Sequence, residues 1–382
     1  MMISIHKICL LIFTIMYSVT SSSQSNRIID SLEKRLLNLK EDTSKVNILN
    51  ELSSQYRNVN VQTSIQYAKD ALSLSKNINF KKGEAVALYS VGRRQAFLGM
   101  AEDAVKNLTA AIKIFEILKD KSYEARSHDG LGDTYLNEGS YDSSFSHFQK
   151  ALALRTEIAD NRGIGVSRLQ LGWLHFAQSK NHEALESAYQ ALRISEQVGD
   201  KENLSMTLVL IGHINESQEN YPEALLHYQK CLKIFEELGI KPAVASAHKA
   251  ISEIFLMQGK YNEAMQKNLL ALEVYEDWQV PEYIAWAYSS MGDILTREGT
   301  TAAVANDKPL SVQKFAEAKN RYLQALEIYE KIKSRESLAS INCRLGTLYL
   351  ELNNLPVALG NAQSARCVHS GLKSRSMSAT GV

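Results

Sequence analysis

Residues 125–158 read ARSHDGLGDTYLNEGSYDSSFSHFQKALALRTEI. The spacing predicts two helices joined by a tight turn. Leu131, Gly132 and Tyr135 fall on one face of the first helix, Gly139 and Ser140 make the turn, and Phe148, Ala151 and Leu152 share a face of the second. The unit recurs in both directions. Gly92, Gly132, Gly172, Gly212, Ser252 and Gly292 stand 40 residues apart, and Ala111, Ala151, Ala191, Cys231 and Ala271 hold a second register of the same period. Gly346 and Ala325 arrive 14 residues late, which places a 14-residue insertion between Gly292 and Ala325.

Two registers held over this length need a packing cause. Helix backbones approach to about 8–10 Å only where the crossing residue is small. A mid-helix glycine costs about 1 kcal/mol against alanine, so each repeated glycine marks such a crossing. A leucine at Gly172 is therefore expected to damage the fold more than a change at Asn181. Around the crossings the apolar residues keep helical spacing, as in the stripe Leu225, Tyr228, Leu232, Phe235.

The pattern resembles the tetratricopeptide repeat. One unit shows Leu131-Gly132, Tyr135, Gly139, Tyr141, Phe148 and Ala151. Another shows Ile211-Gly212, Tyr221, Ala224, Tyr228 and Leu232, and a third Tyr288, Met291-Gly292, Ala318, Tyr322 and Ala325. The period of 40 is longer than the family's usual 34, and the closing proline is missing. It is similar to the long-helix variant in bacterial signalling proteins and in peptide- or adaptor-binding scaffolds. The resemblance covers residues 45–370 and implies an all-α fold, a right-handed superhelix (α-solenoid) of about eight helical hairpins.

Ahead of the repeats, residues 1–23 read as a signal peptide: Lys7, a short apolar run from Ile8 to Val19, then small residues. That run is short of the about 20 residues of a membrane span, so a soluble protein exported to a bacterial periplasm or exterior is expected. Residues 24–44 are expected to form an N-terminal capping helix, with Ile28, Leu32, Leu36 and Leu39 along one side. The inserted Thr300–Gln313 is small and polar and is expected to be an exposed loop. Residues 371–382 read as an incomplete repeat or frayed tail.

Without Lys7 the chain has 42 basic and 42 acidic residues, so nothing draws it to a phosphate backbone and a nucleic-acid role is not expected. Cys231 replaces a repeat alanine and reads as a buried hydrophobe, and the few remaining cysteines make no disulfide framework. No phosphate-binding loop, zinc helix or nucleophile elbow is present, and His128 and His248, three repeats apart, cannot share a metal. No catalytic residue, cofactor or metal is assigned, and the protein is not expected to be an enzyme.

The resemblance implies that first helices line a concave groove. Carried over position by position, this gives Val86, Tyr89, Arg93 and Phe97, then Arg126, Asp129 and Asp133, then Leu169, Trp173 and Phe176. Met206, Val209 and His213 follow, then Lys249 and Glu253, and last Trp286 and Asp293. The family's peptide-carboxylate clamp is not reproduced. Leu169, Trp173 and Phe176 read either as an anchor for a helix or extended peptide or as packing between adjacent helices. Two functions stay open: an exported protein- or peptide-binding scaffold, and the sensory region of a bacterial signal-transduction protein whose output domain is elsewhere. The oligomeric state is not legible.

Overall fold

The computed structural model describes residues 22–57, 59–354 and 356–365. The expected leader and tail lie outside these residues, except that Ser22 and Ser23 already belong to the first helix. Among the described residues every element is a helix. They are α1 (Ser22–Leu36), α2 (Thr43–Tyr56), α3 (Val61–Asn77), α4 (Lys81–Phe97), α5 (Ala101–Leu118), α6 (Lys121–Asn137), α7 (Tyr141–Glu157) and α8 (Asn161–Ala177). Then come α9 (Asn181–Val198), α10 (Lys201–Ser217), α11 (Tyr221–Leu238), α12 (Lys241–Met257), α13 (Tyr261–Asp277), α14 (Pro281–Val304), α15 (Lys308–Ile332) and α16 (Arg335–Glu351). Two compact units divide the chain, one ending at Ala243 and one beginning at Val244.

The turns carry the period. Every twentieth residue from Asn79 to Gln279 has positive φ, glycine at Gly99, Gly139, Gly199, Gly239 and Gly259 and another residue type at the rest. The next amide closes a six-residue ring onto the helix just ended: Met100 N donates to Gln95 O at 2.9 Å, Ser140 N to Tyr135 O at 2.8 Å and Lys180 N to His175 O at 2.9 Å. Entry into the next helix is also repeated. Asp120, Asp160 and Asp200 each accept from the amide three residues on, at 3.3, 2.9 and 3.2 Å.

At the crossings the structure adds a doubled period. A Cβ at Gly132, Gly212 or Gly292 would overlap the ring of Phe148, Tyr228 or Tyr322 in the same hairpin. In the hairpins between, Gly92 faces Leu108, where a Cβ would lie 2.8 Å from Cγ, and Gly172 faces Leu210, 2.7 Å from Cδ2. Ser252 holds its crossing by donating Oγ–H to Ala264 O at 2.7 Å. Rings thus fill every second hairpin, and Cys231 is fully buried in its alanine register.

The expected loop at Thr300–Gln313 is not there. α14 runs to Val304 and α15 starts at Lys308, so the insertion is divided between two lengthened helices. Positive φ falls at Gln279, Asn306 and Lys333, which are 27 residues apart, so each helix has gained seven residues. Seven residues are about two turns and preserve the buried face. The crossing is duplicated as well: Gly299 packs on Phe315 just as Gly292 packs on Tyr322. Pro309 is tolerated because it lies in the first turn of α15, where no intrahelical N–H bond is needed.

The N-terminal helix spans Ser22–Leu36 rather than 24–44. It buries Ile29 and Leu32 against Ile48 and Leu52, while Ile28 stays exposed. Its Glu33 accepts from the hydroxyls of Tyr56 and Tyr67 at 2.7 and 2.9 Å, which pins the cap to the first hairpin. In the second unit Tyr322, Tyr329, Ile341 and Leu348 centre the core. No helix among the described residues is long and apolar enough to cross a membrane.

Candidate ligand-binding face

The first helices of the first unit, α4, α6, α8 and α10, bring most of the expected groove residues together. Tyr89 and Arg93 on α4 meet Arg126 and Asp133 on α6. Arg93 donates to Asp133 at 2.5 Å, and the pair is about four-fifths buried. Burial works against the Arg93 charge, but Asp133, Tyr89 and Asp129 together more than offset it and raise the pKa. The Arg126 guanidinium lies over Tyr89 at 5.4 Å and over Tyr123 at 5.0 Å.

Asp129 is not an open groove residue. It is 6% exposed and receives a bidentate pair from Arg155 on α7, at 3.1 and 2.5 Å. The same guanidinium donates to Ser167 Oγ on α8 at 2.5 Å. Leu169 and Trp173 are likewise buried, so the expected aromatic anchor belongs mostly to the packing between helices. Trp173 lies edge-on to Phe176 at 6.2 Å and tilted against His213 at 5.9 Å. Phe176 and His213 remain half-buried at the surface. His213 Nδ1 lies 2.8 Å from the Tyr228 hydroxyl, which also donates to Glu216 at 2.6 Å.

In this stretch Gln170 Oε1, Trp173 Nε1 and His213 Nε2 are buried without a hydrogen-bond partner. Packing shuts these atoms off from solvent, so a ligand on this face would meet the half-buried rings of Phe176 and His213 instead. Sequence reading missed Gln170 because only groove positions were carried over; its amide acts on Asp133, which was carried over.

In the second unit the named residues are engaged with other side chains of the fold. Lys249 sits 3.9 Å over the Trp286 ring and 3.9 Å from Glu253. Asp293 pairs with Arg344 and accepts from the Tyr322 hydroxyl at 2.7 Å.

His128 pairs within its own hairpin. Its Nδ1 lies 2.9 Å from His147 Nδ1, so one ring donates and the other accepts, and Tyr135 stacks on His147 at 5.5 Å. Burial, then His147 and Lys150, push His128 down to about 4. The folded pKa lies below the unfolded value, so this contribution to stability is complete above about pH 6.5 and is lost as the pH falls toward 4. His128→Gln is expected to flatten the loss of the urea midpoint between pH 7 and pH 4.5, by about 1–3 kcal/mol at the acid end. An unchanged pH profile would refute the assignment.

The comparisons with known proteins agree with this architecture. The tetratricopeptide repeat family model matches residues 123–197 and 203–277. No curated protein matches the sequence. Among solved structures, aspartyl phosphate phosphatase F from Bacillus subtilis is similar at 14% identity and a TM-score of 0.58, over 96% of this chain and 94% of that one. A Rap protein complexed with competence and sporulation factor gives 16% identity and 0.55, over 92% and 99%. The apo form of RapI gives 15% and 0.54, over 85% and 97%. At these identities the likeness speaks to the fold, an all-α repeat superhelix. Register, turns and crossings agree with the matched segments: residues 123–197 and 203–277 are tetratricopeptide repeats.

Proposed function

We propose that this protein is an exported, non-enzymatic scaffold that binds a protein or peptide along the first-helix face of its first unit. The observation that carries the reading is the pair of half-buried rings, Phe176 and His213, that neighbouring first helices leave at the surface on either side of the buried Trp173. A peptide backbone supplies both donors and acceptors, and ring edges give it apolar anchorage. One structure similar in fold is a Rap protein bound to competence and sporulation factor, which fits a ligand-binding use of this fold. Another is named a phosphatase, but 14% identity carries no activity across. The carboxylates of this face are engaged with arginine, Asp129 with Arg155 and Asp133 with Arg93, which suits structure more than proton transfer.

The test is a photo-crosslinking amino acid placed at Phe176 and, as control, at the exposed Gln149 of α7, in cells expressing the full chain. Protein or peptide adducts are expected at 176 and not at 149. Equal adducts at both positions, or none at 176, would overturn the reading. The same material reports on export: mass spectrometry is expected to place the mature N-terminus near Gln24, and an intact Met1 in exported protein rejects a cleaved leader.

A further inference from the structure

The α6–α7 hairpin brings two imidazole nitrogens together. His128 on α6 is 7% exposed and His147 on α7 is half-buried, so the pair is anchored in the hairpin yet within reach of solvent. Their Nδ1 atoms lie 2.9 Å apart, and the Tyr135 ring stacks on His147 at an interplanar angle of 9°. Neither position needs a histidine for packing. Forty residues earlier stand Leu88 and Asn107, and forty residues later Arg168 and Ser187. Three repeats on, His248 keeps the first position while Lys267 takes the second, and His248 Nδ1 is buried without a hydrogen-bond partner.

Imidazole nitrogens bind transition ions at about 2.0–2.1 Å. Two such bonds at a right angle set their nitrogens about 2.9 Å apart, whereas a tetrahedral angle needs about 3.3–3.4 Å. The spacing of the pair is therefore that of adjacent corners in a square-planar or tetragonal site. Cu(II) and Ni(II) take that geometry, and Cu(II) binds nitrogen ligands the more tightly. Two nitrogens do not suit magnesium or calcium ions, which take oxygen ligands. Among the described residues no group of three or more histidine, cysteine or acidic side chains is placed to hold a metal. Asp129, beside His128 in sequence, is taken by Arg155. The two rings are thus the protein's whole share of the coordination, and water fills the other corners.

We propose that His128 and His147 form a two-imidazole site for Cu(II), bound through both Nδ1 atoms. In the metal-free protein one ring donates its Nδ1–H to the other. Binding moves that proton to Nε2 of the same ring, so both Nδ1 lone pairs meet the ion and no proton is lost overall. Stacking on Tyr135 fixes the His147 ring before the ion arrives. The site is independent of the peptide-binding reading.

The test is a Cu(II) titration of the full chain, freed of metal by dialysis against a chelator and followed by equilibrium dialysis and electron paramagnetic resonance. Wild type is expected to bind one equivalent more tightly than any other, in a tetragonal site with two nitrogen ligands. That equivalent is expected to be lost in His128→Gln and in His147→Gln and kept in His182→Gln, whose histidine is exposed on α9. A wild-type spectrum without paired nitrogen coordination overturns the proposal whether or not the variants fold. Equal uptake by His147→Gln and wild type also overturns it, and marks an adventitious ion only. A gain complements these losses. Lys267→His completes the pair in the α12–α13 hairpin, where His248 already stands, and is expected to add a second equivalent with the same spectrum. If a Lys267→His protein of unchanged helical circular dichroism takes up no second ion, the hairpin register does not make the site and the proposal fails.

Discussion

Asp129→Ala is expected to destabilise the first unit by about 3–5 kcal/mol, the cost of leaving a buried charge without its partner. Arg155 is 5% exposed and Asp129 6% exposed, and the guanidinium cannot shed its proton. The pair links α6 to α7 and, through Ser167, to α8, so it ties one hairpin to the next. Asp129→Leu combined with Arg155→Met should recover most of the loss, because an apolar pair of similar volume avoids desolvation. The readout is urea unfolding followed by fluorescence of Trp173, the tryptophan of this unit. By comparison Lys201–Glu237, a 3.0 Å pair with side chains 57% and 44% exposed, is a solvent-screened surface bridge whose loss is expected to cost little. A loss of that small size at Asp129 would mean that the buried pair is no better than the surface one.

The repeat was legible because its marker residues are packing residues. A glycine under a ring and an alanine between helices leave little choice of side chain, and they recur wherever the contact recurs. The insertion was misread because TTAAVANDKPLSVQ has the composition of a loop. Its length carried the better signal: 14 is twice seven, and Gly299 and Phe315 each stand seven residues from the crossing pair Gly292 and Tyr322. Two added turns per helix keep the faces in phase, and composition alone does not report that. In the N-terminal helix, Ile29 rather than Ile28 was buried, a shift of one position that a short stripe without a following repeat does not fix.

The face was legible by register, and its chemistry was not. Position alone placed Asp129 and Asp133 together on α6 four residues apart. What separates them is Arg155, 26 residues on and in the second helix, which takes Asp129 inside and leaves Asp133 to Arg93. Trp173 was placed on the correct helix, but the neighbouring first helix, through His213, covers it.

The crossing glycines give the sharpest contrast, because one register predicts opposite signs at two of its positions. At Gly212 a Cβ overlaps the Tyr228 ring, with Cδ1 at 2.7 Å and Cζ at 2.9 Å. That ring cannot give way: Tyr228 is 1% exposed, and its hydroxyl is held by His213 and Glu216 at 2.8 and 2.6 Å. Gly212→Ala is therefore expected to cost about 1–3 kcal/mol, and Gly212→Leu more, by overpacking. Because His213 and Glu216 share the displaced hydroxyl, the strain also reaches the binding face. At Gly346 the nearest atoms to a Cβ are Ala358 O at 3.5 Å and Asn361 Cβ at 3.6 Å, which is ordinary contact. There alanine replaces the least favourable ordinary helix residue with the best, and Gly346→Ala should stabilise its hairpin by up to about 1 kcal/mol. Repeat arrays can open locally, so hydrogen exchange of α10–α11 and of α16 should accompany the urea midpoints. If both alanines shift stability in the same direction, the aromatic-under-glycine packing does not set the register, and the 40-residue period has another cause.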